Sequence, residues 1–456
     1  MQRLRRLRRV SISVAVLVLL SCASPLVAQA TSTPSGDLPP VAAEVLPAVP
    51  VEGSTAVVPT RDGVAAALEP LLSTLQGQGL SAVVLDATTG DAVYGVDTTT
   101  PRVPASTLKI LTALTALEAL GEDAVLTTSV VVGTGSDIVL VGGGDPTIEI
   151  DPAEPRGPLR PASLTDLADR TIKALGDVRS VNLVYDASLF AAPYLNPDWP
   201  ADYPDAGVVA PITALMINGG RVSPDIDSRL LDPAAAAAKD FAGLLAAKGI
   251  QIGEVRAGTA PPGAAELASV SSPTVGALVQ RMLTESDNTL AECLAHLAGA
   301  AATGTGTFQS GAAATMDHTR QLGLPVAGMS LTDGSGLART NLVSVATLGG
   351  ALAIVAQGGE PGTWPVLPGL PVAGLTGTLA DRFREPPADL AAGLVRAKTG
   401  TLTEVVGLAG MVNDADGRVL TFAFIADATA DVDTTRSVFD RAAAEVTGCG
   451  CRGPAS

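Results

Sequence analysis

The stretch RVPASTLKILTALTALEALG, residues 102–121, decides how this chain is read. Leu108, Leu111, Leu114 and Leu117 recur at a spacing that predicts a helix opening at Ser106 and burying one side. Ser106 and Lys109 then stand at i and i+3, on one helix face. At that spacing a neutral lysine amine can take the serine proton, whereas a guanidinium keeps its charge at working pH. Taken alone, Ser106 reads equally well as an N-cap and Lys109 as a solvated charge. Among 27 serines and five lysines, about 0.3 such pairs arise by chance.

Lysine usage sharpens the pair. Of 29 Lys and Arg residues five are lysines: Lys109, Lys173, Lys239, Lys248 and Lys398. A chain that favours arginine keeps lysine at Lys109 and again in Lys398-Thr399-Gly400-Thr401, on a predicted strand. A Lys-Thr-Gly run arises about 0.05 times at this composition. A cation beside hydroxyls suits a substrate carboxylate, and Gly400 is expected to let substrate backbone approach the strand. Between these two stretches lies TESDNTLAECL, residues 284–294, with Ser286 and Asn288 at a predicted helix start. A second serine can relay protons and an asparagine amide can hold a carbonyl. Ser180-Val181-Asn182 repeats the pattern inside an apparent strand and is read as a decoy. No Gly-x-Ser-x-Gly elbow is present: Asp333 replaces the first glycine before Gly334-Ser335-Gly336.

Ser-x-x-Lys, then Ser-Asp-Asn, then Lys-Thr-Gly is the ordered signature of the penicilloyl-serine transferases. With VLVGGGDPTI (139–148), TALMINGGRV (213–222), LTDGSGLART (331–340) and the long gap from Ser106 to Ser286, the chain resembles the class C low-molecular-mass penicillin-binding proteins, the D-alanyl-D-alanine carboxypeptidase/endopeptidase family. The resemblance runs from about Gly63 to the C-terminus. It implies an α/β (α+β) transpeptidase fold, a five-stranded antiparallel sheet flanked by helices. It also implies Ser106 as nucleophile, Lys109 as general base and Ser286 as proton shuttle. Asn288 would orient Lys109 and the substrate amide, and Lys398 and Thr399 would bind the terminal carboxylate beside Gly400. The Lys398 charge would help keep Lys109 neutral, and the backbone N–H groups of Ser106 and Thr401 would form the oxyanion hole. The implied substrates are peptidoglycan stem peptides, with β-lactams as covalent inhibitors. Trimming of D-alanine and cutting of cross-links both remain open. A non-catalytic wall-binding scaffold and a β-lactamase are the alternatives. Some family members read a diaminopimelate side chain through an inserted residue; Asp145 is a candidate, though Asp after glycines is also ordinary turn chemistry.

The remaining sequence frames this reading. A net charge of −17 argues against nucleic acid and against anionic membrane surfaces as partners of the folded body. Residues 1–30 read as a signal peptide: five arginines, an apolar run too short to span a membrane, and Ala28-Gln29-Ala30 for cleavage, favoured over lipidation at Cys22. The protein is therefore expected outside the cytoplasmic membrane, in a periplasm-like space, on the wall or secreted, with peripheral membrane or wall association open. Residues 31–61 read as a Pro/Ala-rich tether. Residues 62–131 and 270–452 form the expected peptidase domain around a mainly-β insertion, 132–269. With two histidines, His296 and His318, no metal site is expected, and no cofactor is implied. Pairing among Cys293, Cys449 and Cys451 is open.

Overall fold

The computed structural model describes residues 56–152, 160–359 and 361–451. The signal peptide, Cys22 and most of the tether lie outside the described residues. Helix α1 (Arg61–Leu72) leads into the hairpin of β1 (Leu80–Asp86) and β2 (Ala92–Val96), then into α2 (Lys109–Leu120). The middle of the chain forms β3 (Val125–Val132), β4 (Asp137–Val141), α3 (Leu164–Leu175), β5 (Ser180–Asp186), the ribbon β6 (Arg221–Ser223) and β7 (Ile226–Arg229), α4 (Pro233–Ala247), β8 (Gln251–Ala257) and β9 (Glu266–Thr274). Helices α5 (Val275–Glu285), α6 (Asn288–Thr303), α7 (Phe308–Gln321), α8 (Val345–Ala356) and the single turn α9 (Val366–Gly369) follow. Strands β10 (Arg396–Leu402), β11 (Val405–Asn413) and β12 (Val419–Ala426) precede α10 (Val432–Gly448).

The first sheet has the order β10-β11-β12-β1-β2 and is antiparallel throughout, joining the hairpin near the start to three strands near the end. Its central strands read as unbroken apolar runs because both faces are covered. Ala82, Val84, Phe422 and Phe424 pack under α1 and α10, while Val83, Leu85, Ala423 and Ile425 join the core of α2, α5, α6 and α8. The alternation is the strand period of two. Helix α2 runs through that second core, and its residues from Lys109 to Leu117 are all buried.

The second sheet has the order β8-β5-β4-β3-β9. Its β4–β5 and β5–β8 pairs are parallel, which requires crossover connections, and α3 and α4 supply them. Leu164, Leu167, Phe241 and Leu245 bury those helices on the sheet. The insertion is thus α/β, where a mainly-β unit was expected: its strand runs were legible, but parallel pairing brings helices with it. Strands β3 and β9 pair from Val125↔Thr274 to Val131↔Glu266, so sheet membership changes at Val125 and Thr274, outside the expected 132–269. Cys449 and Cys451 are joined by a disulfide, and Cys293 is a buried thiol.

Candidate active site

Ser106 lies in a 3-10 turn, Ala105–Leu108, that runs into α2. Pro104 occupies the cap position with no side-chain hydrogen bond, so the expected N-cap role of Ser106 is absent and its hydroxyl is left for other partners. Ala105, just before it, has φ +47°, a left-handed conformation costly for a side chain. The turn is closely packed on two sides. Gly336 (φ +83°) lies so close that a Cβ there would collide with the Ala105 carbonyl. On the other side a Cβ at Gly400 would stand 2.8 Å from the Pro104 carbonyl oxygen and 3.2 Å from Ala105 Cβ. The absence of a side chain at Gly400 thus lets the strand approach the serine-bearing turn closely.

Lys109 is wholly buried, and its Nζ donates to Ser106 Oγ at 2.9 Å, Asn288 Oδ1 at 2.8 Å and the Ser335 carbonyl at 2.7 Å. Burial lowers the amine to about 8, against the opposing pull of Asp333, Glu292 and Asp287. The Ser-Lys pair of the sequence is thus a bonded pair whose lysine gives up its proton far more readily than a surface lysine.

Helix α5 ends at Ser286, which adopts the left-handed conformation (φ 57°, ψ 35°) as a C-cap. Asp287 then caps α6 by accepting from Leu290 N at 3.0 Å. The helix-start role considered for Ser286 thus belongs to its neighbour, and the Ser286 hydroxyl faces Lys398, whose Nζ donates to it at 2.8 Å. Asn288, first residue of α6, accepts from Lys109 and donates through Nδ2 to the Val208 carbonyl at 3.0 Å. Lys398 is fully buried, with Nζ also on the Thr399 carbonyl at 2.9 Å. Burial, and then repulsion from Lys109, push its amine well down. Thr399 and Thr401, two apart on β10, share a cleft of about 900 Å³ with Ser106 and Ser286. The structure therefore brings Ser106, Lys109, Ser286, Asn288, Lys398, Thr399 and Thr401 into one locality. The decoy, Ser180 to Asn182, lies on β5 of the second sheet, where Asn182 bonds Ser136 and Asp137.

Glu292, Asp333 and Trp199, none of them among the expected site residues, complete the surroundings of Lys109. Glu292, wholly buried, accepts from Ser335 N at 2.7 Å and Gly334 N at 3.1 Å, fixing the loop whose Ser335 carbonyl meets Lys109. Asp333 accepts from Gly336 N, Ala338 N, Asn341 Nδ2 and, at 2.8 Å, Trp199 Nε1 of the insertion. Burial raises both carboxyls, and Asp333 raises Glu292 further. The signal for Asp333 was in view, as the residue that spoiled the glycine elbow. Asp145 is buried and caps its own turn, accepting from Thr147 N at 2.8 Å, so the turn reading holds for it.

The model of the D-Ala-D-Ala carboxypeptidase 3 (S13) family matches residues 63–230 and 223–446. A carboxypeptidase of Mycobacterium tuberculosis is 36% identical over 91% of this chain and 89% of its own length. The carboxypeptidase DacB of Mycolicibacterium smegmatis is 35% identical over 98% and 99%. A D-alanyl-D-alanine carboxypeptidase of an Actinomadura species is 28% identical over 76% and 77%. The solved penicillin binding protein 4 of Haemophilus influenzae superposes with a TM-score of 0.69 at 21% identity, covering 83% of this chain and 97% of that one.

Proposed function

The chain belongs to the D-Ala-D-Ala carboxypeptidase 3 (S13) family, and from that premise we propose that it is a serine-type D-Ala-D-Ala carboxypeptidase acting on peptidoglycan stem peptides through an acyl-enzyme on Ser106. The observation that carries the reading is the 2.9 Å contact between Ser106 Oγ and a wholly buried Lys109 whose amine is lowered to about 8.

In the proposed cycle neutral Lys109 takes the Ser106 proton as Oγ attacks the carbonyl before the terminal D-alanine. The backbone N–H groups of Ser106 and Thr401 receive the oxyanion. The tetrahedral intermediate collapses, the C–N bond breaks, and the proton held by Lys109 reaches the leaving amine through Ser286. Water then attacks the ester, returning the proton to Ser106 and releasing the shortened peptide. Asn288, pinned by Val208, sets the direction of the Lys109 amine. Penicillin would follow the first half of the path and stop at the ester.

In this reading the same site is open to cross-linked stems as a second substrate, and the protein is exported under the 1–30 signal to act at the wall or membrane. Among the described residues no helix is long and apolar enough to cross a membrane. We take the inserted unit, expected over 132–269, to extend over the paired strands from Val125 to Thr274, which supports a slightly larger insertion. Incubating the purified chain with stem pentapeptides and cross-linked dimers, followed by mass spectrometry, tests the function. Loss of one alanine supports the carboxypeptidase, and conversion of dimers to monomers supports the endopeptidase. Unchanged pentapeptide would leave the scaffold reading standing.

A further inference from the structure

A peptide carboxylate held beside Ser106 needs a cation it can touch. Lys398, the residue expected there, is fully buried, and its Nζ is engaged by Ser286 Oγ and the Thr399 carbonyl. The accessible charge lies further along β10. Thr399 and Thr401 project from the same strand face. Thr399 Oγ1 shares a hydrogen bond with Thr378 Oγ1 at 2.7 Å, and Thr401 Oγ1 accepts from Arg436 Nη2 at 3.2 Å. These hydroxyls and the guanidinium line the cleft that holds Ser106.

Arg436, in the second turn of α10, is held from two sides. Its Nη1 pairs with Asp433 at 2.9 Å, and its backbone carbonyl accepts from Arg382, itself locked on Asp440 at 2.6 Å. A guanidinium has five N–H donors, so bonds to Asp433 and Thr401 leave capacity for an incoming anion, and an ion pair this exposed is weak enough to exchange. The other cleft arginines bond elsewhere: Arg382 to Asp440, Arg384 to Asp381 and the Ala380 carbonyl, and Arg441 to the Ser437 carbonyl, whereas Arg436 bonds the Thr401 hydroxyl itself.

We propose that Arg436 is the specificity-determining residue for the substrate's terminal carboxylate, receiving it together with the Thr399 and Thr401 hydroxyls, while Lys398 holds Ser286 in place. The proposal rests on the reading of Ser106 as nucleophile. A free carboxylate satisfies the guanidinium with charge-assisted hydrogen bonds, and a C-terminal amide does not.

The test compares the full chain as wild type, R436Q and R436K on a D-Ala-D-Ala peptide and on the same peptide with a C-terminal amide. KM and kcat are read separately, and fluorescent penicillin labelling of wild type serves as the check on the nucleophile. Wild type prefers the acid. R436Q raises KM for the acid by about 10- to 100-fold and shrinks the acid-over-amide preference by the same factor, and R436K recovers part of it. An R436Q enzyme with the wild-type preference overturns the proposal and leaves the nucleophile reading intact, as does an equal loss on acid and amide. A wild type that neither labels nor hydrolyses overturns the reading beneath it.

Discussion

The pH dependence of acylation follows from the burial of Lys109. An ordinary lysine, at 10.5, would be neutral in about 0.03% of molecules at pH 7. With the amine lowered to about 8, roughly a tenth are neutral at pH 7 and half at pH 8, a gain of about 300-fold in competent base. Only the neutral amine can accept the Ser106 proton. The second-order rate of penicillin acylation therefore rises about tenfold from pH 6 to 7 and levels off above about 9. Stopped-flow fluorescence with a reporter penicillin across pH 5.5–10 measures it. Asp287→Asn provides an internal control. Asparagine also caps helices well, so α6 keeps its start, but one of the charges that favours protonated Lys109 is gone. The acid limb then moves to lower pH. A flat profile, a midpoint near 10, or a limb that moves upward in Asp287→Asn would show that Lys109 is not the base.

Two further outcomes follow from the loop beneath Lys109. Trp199→Phe keeps the edge-on contact with Phe308 but removes the indole donor to Asp333. It should cost about 1–3 kcal/mol in urea denaturation and slow acylation. Gly336→Ala places a methyl against the Ala105 carbonyl at a φ of +83°, displacing the serine-bearing turn. Displacement on that scale costs about 100-fold in acylation rate, read by time-resolved penicillin labelling, and an unaltered rate would show that the turn is not held as described.

The three motifs of the candidate site were legible because their residue types are scarce and ordered. Lysine is rare here, so Lys109 and Lys398 stood out, and Lys-Thr-Gly is improbable by chance. The contacts that unite them span 179 residues from Lys109 to Asn288 and 112 from Ser286 to Lys398, which spacing alone could not supply; the ordered signature did. The first sheet was legible from its runs of apolar residues at both ends of the chain. What stayed hidden is what burial decides. Glu292 reads as one more helical glutamate until Gly334 and Ser335 fold over it, and Trp199 reads as loop until its indole meets Asp333. The N-cap reading of Ser106 failed because Pro104 holds the cap position and Ala105 after it is left-handed, in a turn that Gly336 and Gly400 allow to be packed closely. The parallel strands of the insertion were hidden because strand runs carry no direction of their own.

The chemistry turns on Ser106 as the nucleophile. Intact-mass and peptide-mapping mass spectrometry of the penicillin adduct tests it most directly. The expected result is one penicilloyl group per chain, on the peptide containing Ser106, and no adduct on Ser106→Ala. An adduct on another residue, or one that persists in Ser106→Ala, would contradict it.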